Sequence, residues 1–222
     1  MKIWYITSEF LPSYGGGIGM YVDIISRLMS DAGHQVAVFA WDAQDKEEHV
    51  NENLTYIRFE ASRNKSKAYE RMGYWTALSY QYYEVVRDYA RRNGEPDIIE
   101  SQDYNGLAYY ILQYKLLEAD FLRSTRIIVH LHTPMYELAR INREAEYAFP
   151  TYWLGRMEKF CIEGADALVT QSDFLKKNIQ REFPDKEITV IRLPYEYKGL
   201  EVQYECGDYL LYTGRMEYRK GI

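Results

Sequence analysis

The sequence predicts an α/β domain with a doubly wound, mostly parallel sheet of about seven strands, which is a Rossmann-like arrangement. Two observations support this fold class. Short apolar segments alternate along the chain with longer segments in which apolar residues recur at helical spacing. The short segments are apolar at consecutive positions, as expected for strands that helices cover on both faces.

The first part of the chain is predicted to form one βαβ unit and a third strand. Runs of β-branched and aromatic residues predict strands at 2–7, 35–41 and 54–59. A helix is predicted from Ile18 to Ala32, because apolar residues fall on one face and Gly33 stands where a helix C-cap is expected. A long helix is predicted from Tyr69 to Arg92, where an Asn-Gly-Glu-Pro sequence ends it.

The same alternation continues to residue 193. Four more strands are predicted at 97–100, 126–131, 167–170 and 188–191. Helices are predicted in the segments between them, at 106–117, 152–163 and 173–182. Strands separated by helices in this way predict a parallel sheet with helices on both faces.

The chain is predicted to contain more than this one domain. Residues 1–193 form the sheet domain, and the polar, tyrosine-rich residues 194–207 are expected to be an interdomain linker. A new strand is predicted from Tyr209 to Thr213, so residues 208–222 are interpreted as the start of a truncated second domain. On this interpretation we expect the 222-residue chain to be inactive alone.

Charge and hydropathy exclude several classes of protein. Acidic residues number 33 and basic residues 27, giving a net charge of −6, so the basic field typical of nucleic-acid-binding proteins is missing. No apolar run approaches the roughly 20 residues that cross a bilayer, and the N-terminus becomes polar too early for a signal peptide. We expect a cytoplasmic protein with no transmembrane segment and no nucleic-acid partner.

A glycine-rich loop follows the first predicted strand. Gly15, Gly16, Gly17 and Gly19 occupy four of five positions and lead directly into the predicted helix. Free backbone N–H groups and the helix dipole attract an anion such as phosphate to this place, and glycines allow it to approach the backbone closely. A flexible turn is the alternative, but it does not need this many glycines.

The same glycines permit a nicotinamide-cofactor hypothesis. Gly15, Gly17 and Gly19 are spaced two apart, and Asp42 at the end of the second strand is placed to hold a ribose. Two features oppose it: position 20 is Met, and seven residues separate Thr7 from Gly15 where the fingerprint requires a tight turn. This hypothesis ranks second.

Polar residues follow two further strands. Asp103 is either a ligand carboxylate or the N-cap of the next helix. His130 and His132 share one face of their strand, and His132 is at its carboxyl end, where substrates bind. A metal site requires a third ligand, for which only Asp103 or Glu137 is available, so we favour His132 as a polar substrate contact without a metal.

Two cations follow the last predicted strand. Arg215 and Lys220 suit a diphosphate, the first through its forked guanidinium and the second as a point charge. A solvated basic tail is the alternative, and spacing alone does not separate the two.

Six segments in order carry a resemblance to a known family: SEFLP and GGGIGMYV (8–22), AGHQVAVF (32–39), PDIIESQD (96–103), VHLHTP (129–134), ADALVTQSDFLKKNI (165–179) and YTGRMEYRKGI (212–222). They resemble the N-terminal domain of the retaining, group 1 (GT4) glycosyltransferases of the GT-B fold, and more weakly the glycogen and starch synthases. The resemblance implies that the sheet domain is one half of a GT-B fold. It also implies metal-free sugar transfer, with retention, from a nucleoside-diphosphate sugar to an acceptor hydroxyl.

The resemblance also assigns site residues. His132 and Asp103 are the catalytic candidates, Gly16, Gly17, Arg215 and Lys220 the donor and phosphate-binding candidates, and Glu9 and Tyr14 the acceptor-side candidates. The acceptor itself, a glycan, a lipid or a small molecule, stays open. The family's usual Pro-Asn-Gly after the seventh strand is replaced by Arg192-Leu193-Pro194, so the domain crossover is expected to differ.

Two other functions remain as alternatives. One is the NAD-dependent sugar-modifying enzyme suggested by the glycine spacing. The other is a non-catalytic module that binds a sugar or a partner through some of its 23 tyrosines, a residue type with a flat apolar body and a polar tip.

Overall fold

The computed structural model describes residues 1–11, 16–61, 67–117, 121–195, 199, 207–214 and 216–221. Within these residues one sheet has eight strands in the order β3-β4-β2-β1-β5-β6-β7-β8. Their bounds are β1 (Lys2–Thr7), β2 (Gln35–Asp42), β3 (Lys46–His49), β4 (Leu54–Glu60), β5 (Ile98–Gln102), β6 (Arg126–Leu131), β7 (Ala167–Thr170) and β8 (Ile188–Val190). All neighbouring strands are parallel except the antiparallel pair β3 and β4.

Helices connect the strands. They are α1 (Gly17–Asp31), α2 (Lys67–Met72), α3 (Tyr74–Asn93), α4 (Tyr109–Leu117), α5 (Met135–Ile141), α6 (Thr151–Gly164) and α7 (Asp173–Glu182). Short 3₁₀ turns lie at Tyr104–Gly106 and Tyr218–Lys220. Among the described helices, none is long and apolar enough to cross a membrane.

Two apolar clusters cover the sheet, and the central strand β1 contributes to both. Trp4 and Ile6 belong to the larger cluster, in which the Trp4 ring lies 5.2 Å from the ring of Phe39. Ile3 and Tyr5 belong to the smaller cluster, which packs against α1. Successive side chains of a strand point to opposite faces, so this division shows that both faces of β1 are buried.

The predicted fold class is confirmed, and all seven predicted strands of the sheet domain are present. The eighth strand, β3, was not predicted because its sequence, KEEH, is polar and mostly exposed at the sheet edge. The long predicted helix is divided at Gly73, whose φ of 79° interrupts the helical backbone. Helix α4 begins at Tyr109 and not at residue 106, because Asn105 in the preceding turn has a φ of 67°.

The strand predicted at 209–213 is wrong. In the described structure these residues form no strand, and the side chains of Tyr209, Leu210 and Leu211 are exposed. An apolar segment becomes a strand only where a neighbouring strand satisfies its backbone groups. The division of the tail into linker and second domain stays a prediction, because much of it lies outside the described residues.

Candidate active site

The candidate site lies at the carboxyl edge of the sheet, where β1, β5 and β6 end side by side. The side chain of Gln102 joins two of these ends. Its oxygen lies 3.0 Å from both the backbone nitrogen of Ser8 and the hydroxyl of Thr7. Its amide nitrogen donates to the Ser8 hydroxyl at 2.8 Å and to the Tyr104 carbonyl at 3.0 Å. These bonds hold the ends of β1 and β5 together at the site.

The glycine loop begins α1 at this edge. Gly16 is the N-cap residue and no side-chain hydrogen bond caps the helix, so the positive end of the helix dipole favours a negative charge nearby, and the Glu9 carboxylate is one such charge. A Cβ at Gly16 would lie 2.1 Å from Glu9 Oε2, and one at Gly19 would lie 2.9 Å from the Glu9 carbonyl oxygen. A side chain at Gly19 would therefore meet the backbone of Glu9, whereas one at Gly16 would require only the Glu9 carboxylate to move.

Asp103 is fully buried between the ends of β5 and β6. Its carboxylate accepts hydrogen bonds from the backbone nitrogens of Tyr104 at 2.8 Å, His132 at 3.0 Å and Thr133 at 3.3 Å. The bond to Tyr104 confirms the N-cap alternative, here on the 3₁₀ turn. Burial raises the pKa of Asp103 to about 6, against the lowering effect of the three N–H donors.

A second buried carboxylate, Glu158 of α6, was not predicted. It is fully buried and accepts from the backbone nitrogens of Met135 at 2.8 Å, Asn105 at 2.9 Å and Tyr136 at 3.2 Å. Burial raises its pKa to about 8, and the charge of Asp103 adds to this rise. The available signal was a glutamate at a core position of an amphipathic helix, among the buried residues Leu154, Met157, Cys161 and Ile162.

The two histidines stack, which confirms that they share a face. Their ring centroids are 4.3 Å apart with 24° between the planes. His130 is buried, and His132 is partly exposed at the edge. Burial lowers the pKa of His132 to about 3, and the neighbouring His130 contributes to the lowering. His132 is therefore a neutral imidazole at neutral pH, with one nitrogen that donates and one that accepts.

The other predicted site residues are less closely connected. Tyr14 and Arg215 lie outside the described residues. Lys220 is exposed in the 3₁₀ turn near the end of the chain, and this turn packs on the segment after α5, where the Arg143 guanidinium lies 4.2 Å from the ring centroid of Tyr218. Its position relative to the glycine loop stays a prediction.

Asp42, which the nicotinamide hypothesis uses, and Glu137, a candidate third metal ligand, both pair with arginines. Asp42 pairs with the buried Arg58 at 3.3 Å and accepts from the Ala43 nitrogen at 2.6 Å. Glu137 pairs with Arg140 at 2.9 Å. In the part of the chain that the structure describes, no group of three or more His, Cys, Asp or Glu residues is arranged to hold a metal ion. That the reaction needs no metal stays a prediction.

Several solved structures share the fold of this chain. The chain is similar to a sucrose-phosphate synthase from Thermosynechococcus elongatus, with a TM-score of 0.56 and 15% identity over 89% of this chain and 91% of that chain. It is also similar to the catalytic domain of starch synthase IV from Arabidopsis thaliana bound to ADP and acarbose, with a TM-score of 0.56 and 15% identity over 86% of this chain and 51% of that chain. A trehalose-6-phosphate synthase matches with a TM-score of 0.56 and 14% identity over 88% of this chain and 50% of that chain.

These likenesses show the fold, a Rossmann-like domain of the glycosyltransferase GT-B type. The family follows from the sequence itself, because the model of Glycosyltransferase Family 4 matches residues 15–195. The chain belongs to this family, which confirms the resemblance seen in its motifs and removes support from the nicotinamide alternative. No curated protein sequence matches the chain. It spans about half the length of the starch synthase and trehalose-6-phosphate synthase structures, at 51% and 50%.

Proposed function

We propose that this chain forms the acceptor-side half of a retaining transferase that moves a sugar from a nucleoside-diphosphate sugar to an acceptor hydroxyl without a metal. One observation supports the proposal above the others. The uncapped start of α1 and the neutral ring of His132 lie at one edge of the sheet, and Tyr21 of α1 contacts the His132 ring at a centroid distance of 5.5 Å. This contact supports a proposed anion site and a proposed hydroxyl-binding group on neighbouring elements.

The start of α1 is proposed to bind the diphosphate of the donor. Negative charge builds on the diphosphate as the glycosidic bond breaks, and preorganised N–H groups stabilise that charge without reorganising. Gly16 and Gly17 present their backbone at this place, and a Cβ at Gly17 would meet no atom within 4 Å, so the position is open to a ligand. Arg215 and Lys220 are proposed to add positive charge from the tail.

His132 is proposed to hydrogen-bond a hydroxyl of the donor sugar. A neutral imidazole offers one donor and one acceptor, which matches a hydroxyl group. We assign Asp103 a positioning role, because its carboxylate is fully buried and accepts from three backbone N–H groups. The acceptor proton is proposed to leave on the departing phosphate, which requires no carboxylate base.

The acceptor is proposed to approach from the side of Glu9. This carboxylate lies against the first turn of α1, and its Oε2 atom is buried with no hydrogen-bond partner among the described residues. A carboxylate oxygen in that state is an acceptor for a substrate hydroxyl. Tyr14 is proposed to complete the acceptor side.

The test is donor turnover by the full-length product of the gene that encodes this chain. The protein is incubated with UDP-glucose, ADP-glucose and GDP-mannose, with and without EDTA, and release of the nucleoside diphosphate is measured. We expect release from one donor, unchanged by EDTA, and an anomeric proton in the product that shows retained configuration by NMR. His132→Ala should lower turnover at least tenfold, and His49→Ala, on the exposed strand β3, should not.

Each part of the proposal has its own contradicting result. Inverted configuration contradicts retention, and loss of turnover in EDTA contradicts the metal-free step. Full turnover in His132→Ala contradicts the role of His132. Absence of turnover with every nucleotide sugar contradicts the donor class.

A further inference from the structure

The ring of His132 rests on a buried arrangement of three polar side chains. His130 lies beneath it, with 2% of its surface exposed and its ring centroid 4.3 Å from that of His132. The Nδ1 atom of His130 lies 3.0 Å from Glu100 Oε1, and the Tyr21 hydroxyl donates to the same oxygen at 2.6 Å. Tyr21, Glu100 and His130 come from α1, β5 and β6, so three elements meet under His132.

The bonds fix which atom carries the proton. A carboxylate only accepts, so both Tyr21 and the Nδ1 atom of His130 donate to Glu100 Oε1. The plane of the His130 ring is then set by its bond to Glu100. The Tyr21 ring stands edge-on to the His130 ring, at 4.7 Å and 77°, and is tilted against the His132 ring, at 5.5 Å and 58°. The His132 ring is therefore bounded below by His130 and at its side by Tyr21.

One atom of His130 indicates that stability alone does not explain this arrangement of side chains. The Nε2 atom of His130 is buried and has no hydrogen-bond partner among the described residues. An unpaired buried polar atom costs stability, and an apolar side chain of similar size would fill the position without that cost. We explain the imidazole at position 130 by its stacking on the partly exposed ring of His132, which it supports.

We propose that Tyr21, Glu100 and His130 are positioning residues for His132: their hydrogen bonds fix the plane of the His130 ring, and that ring fixes the orientation of the His132 ring. The proposal rests on the proposed contact of His132 with substrate. It links the helix of the glycine loop to the histidine, because Tyr21 lies one turn after the start of α1.

Several ionisable groups face this pair of rings. Tyr21 of α1 and Glu100 of β5 touch His130, and Asp103 at the end of β5 binds the backbone nitrogen of His132. Burial raises the pKa of the Tyr5 hydroxyl of β1, and the charge of Glu100 adds to this rise. Glu158 of α6 does not touch the two rings, but its charge interacts with that of Asp103.

The test follows the His132 ring directly by NMR, without any substrate. The chain has four histidines, so their imidazole signals are assigned one by one from single variants. The titration is followed from acid pH up to pH 8, and in the native chain we expect the His132 signal to be constant between pH 5 and 8, since burial lowers its pKa to about 3. A His132 signal that titrates between pH 5 and 8 in the native chain would overturn the proposal.

Two variants remove different parts of the support. His130→Asn keeps an N–H donor for Glu100 but removes the stacked ring, and Tyr21→Phe keeps the ring contact but removes the hydroxyl. In His130→Asn the midpoint of His132 should rise by about one pH unit or more, because water reaches the uncovered ring. Tyr21→Phe should produce a smaller rise. Tyr110→Phe, which removes a half-buried hydroxyl on α4, is the matched control and should leave His132 unchanged.

The result separates this proposal from the proposed function. Identical titration of His132 in the native chain and in both variants overturns the positioning role, whatever the turnover. If His130→Asn fails to fold, the milder Tyr21→Phe decides, with the backbone amide spectrum as the check of folding. If the shifts appear but His132→Ala keeps full turnover, the support is real and the substrate contact of His132 is wrong.

Discussion

Asp103 and Glu158 divide between them the backbone N–H groups of residues 132–136, which form the loop after β6 and the first turn of α5. Asp103 accepts from residues 132 and 133, Glu158 accepts from residues 135 and 136, and residue 134 is a proline with no N–H. Each carboxylate also accepts one N–H from the turn after β5. The two carboxylates thus hold together the two loops that form this side of the site, and His132 is the first residue of the held segment.

The first prediction concerns Glu158→Gln. The amide keeps one oxygen for the N–H groups but places an NH₂ group against donors, so at least one buried N–H loses its partner. We expect the free energy of unfolding to fall by about 1–3 kcal/mol. The measurement is urea denaturation at pH 5, where the raised pKa of Glu158 costs little and both oxygens of the neutral acid still accept, with Glu163→Gln on the exposed side of the same helix as the control. Equal stability of the two variants would contradict the role of Glu158.

The second prediction concerns pH. Burial raises the pKa of Glu158 to about 8 from 4.5 and that of Asp103 to about 6 from 3.8. The folded state therefore binds more protons than the unfolded state between these values, and its stability falls as the pH rises through them. We expect the free energy of unfolding to be higher at pH 5 than at pH 8.5.

The same urea series in Glu158→Gln isolates the contribution of that residue. The variant has no titrating group at position 158, so the decline between pH 6.5 and 8.5 should become shallower than in the native chain. An identical slope in both proteins would show that Glu158 does not titrate in this range.

The third prediction tests the packing of Glu9 on the glycine loop. Gly16→Ala brings a Cβ to within 2.1 Å of Glu9 Oε2, so the carboxylate must move. The φ of Gly16 is −143°, which alanine adopts freely, so any cost comes from this contact. Gly17→Ala is the control, since its Cβ would meet nothing within 4 Å. We expect Gly16→Ala to lower the melting temperature more than Gly17→Ala.

A double variant makes this test specific. Glu9→Ala removes the atoms that the new Cβ would meet, so the effects of Gly16→Ala and Glu9→Ala should not add. Additive losses would place the cost of Gly16→Ala elsewhere than at Glu9.

Local patterns in the sequence were sufficient for the sheet and for part of the site. Strand β6 was predicted at its observed bounds because RIIVHL is apolar and β-branched, and the shared face of His130 and His132 followed from their spacing of two residues. Helix α5 was missed because it has only 7 residues and its start is held by Glu158, which lies 23 residues beyond Met135. Hydrogen bonds between residues this far apart leave no periodic signal.

The last prediction concerns backbone strain at the held loop. Thr133 has a φ of 111°, a conformation that a β-branched residue rarely adopts and that costs about 1–3 kcal/mol. Thr133→Gly should therefore raise the free energy of unfolding by part of this amount. Thr133→Ala is the control, because it removes the hydroxyl and methyl groups but keeps the Cβ that makes this φ unfavourable, and it should bring a smaller gain.

The same variant separates stability from function. Glycine at position 133 releases the restriction on the residue next to His132, so we expect Thr133→Gly to be more stable and less active in the turnover assay. The strained backbone of Thr133 is unfavourable by itself, so its presence beside the proposed substrate contact requires a reason. Orientation of the His132 ring by the strained loop is such a reason. A variant that is both more stable and fully active would show that the strained backbone of Thr133 contributes nothing to the site.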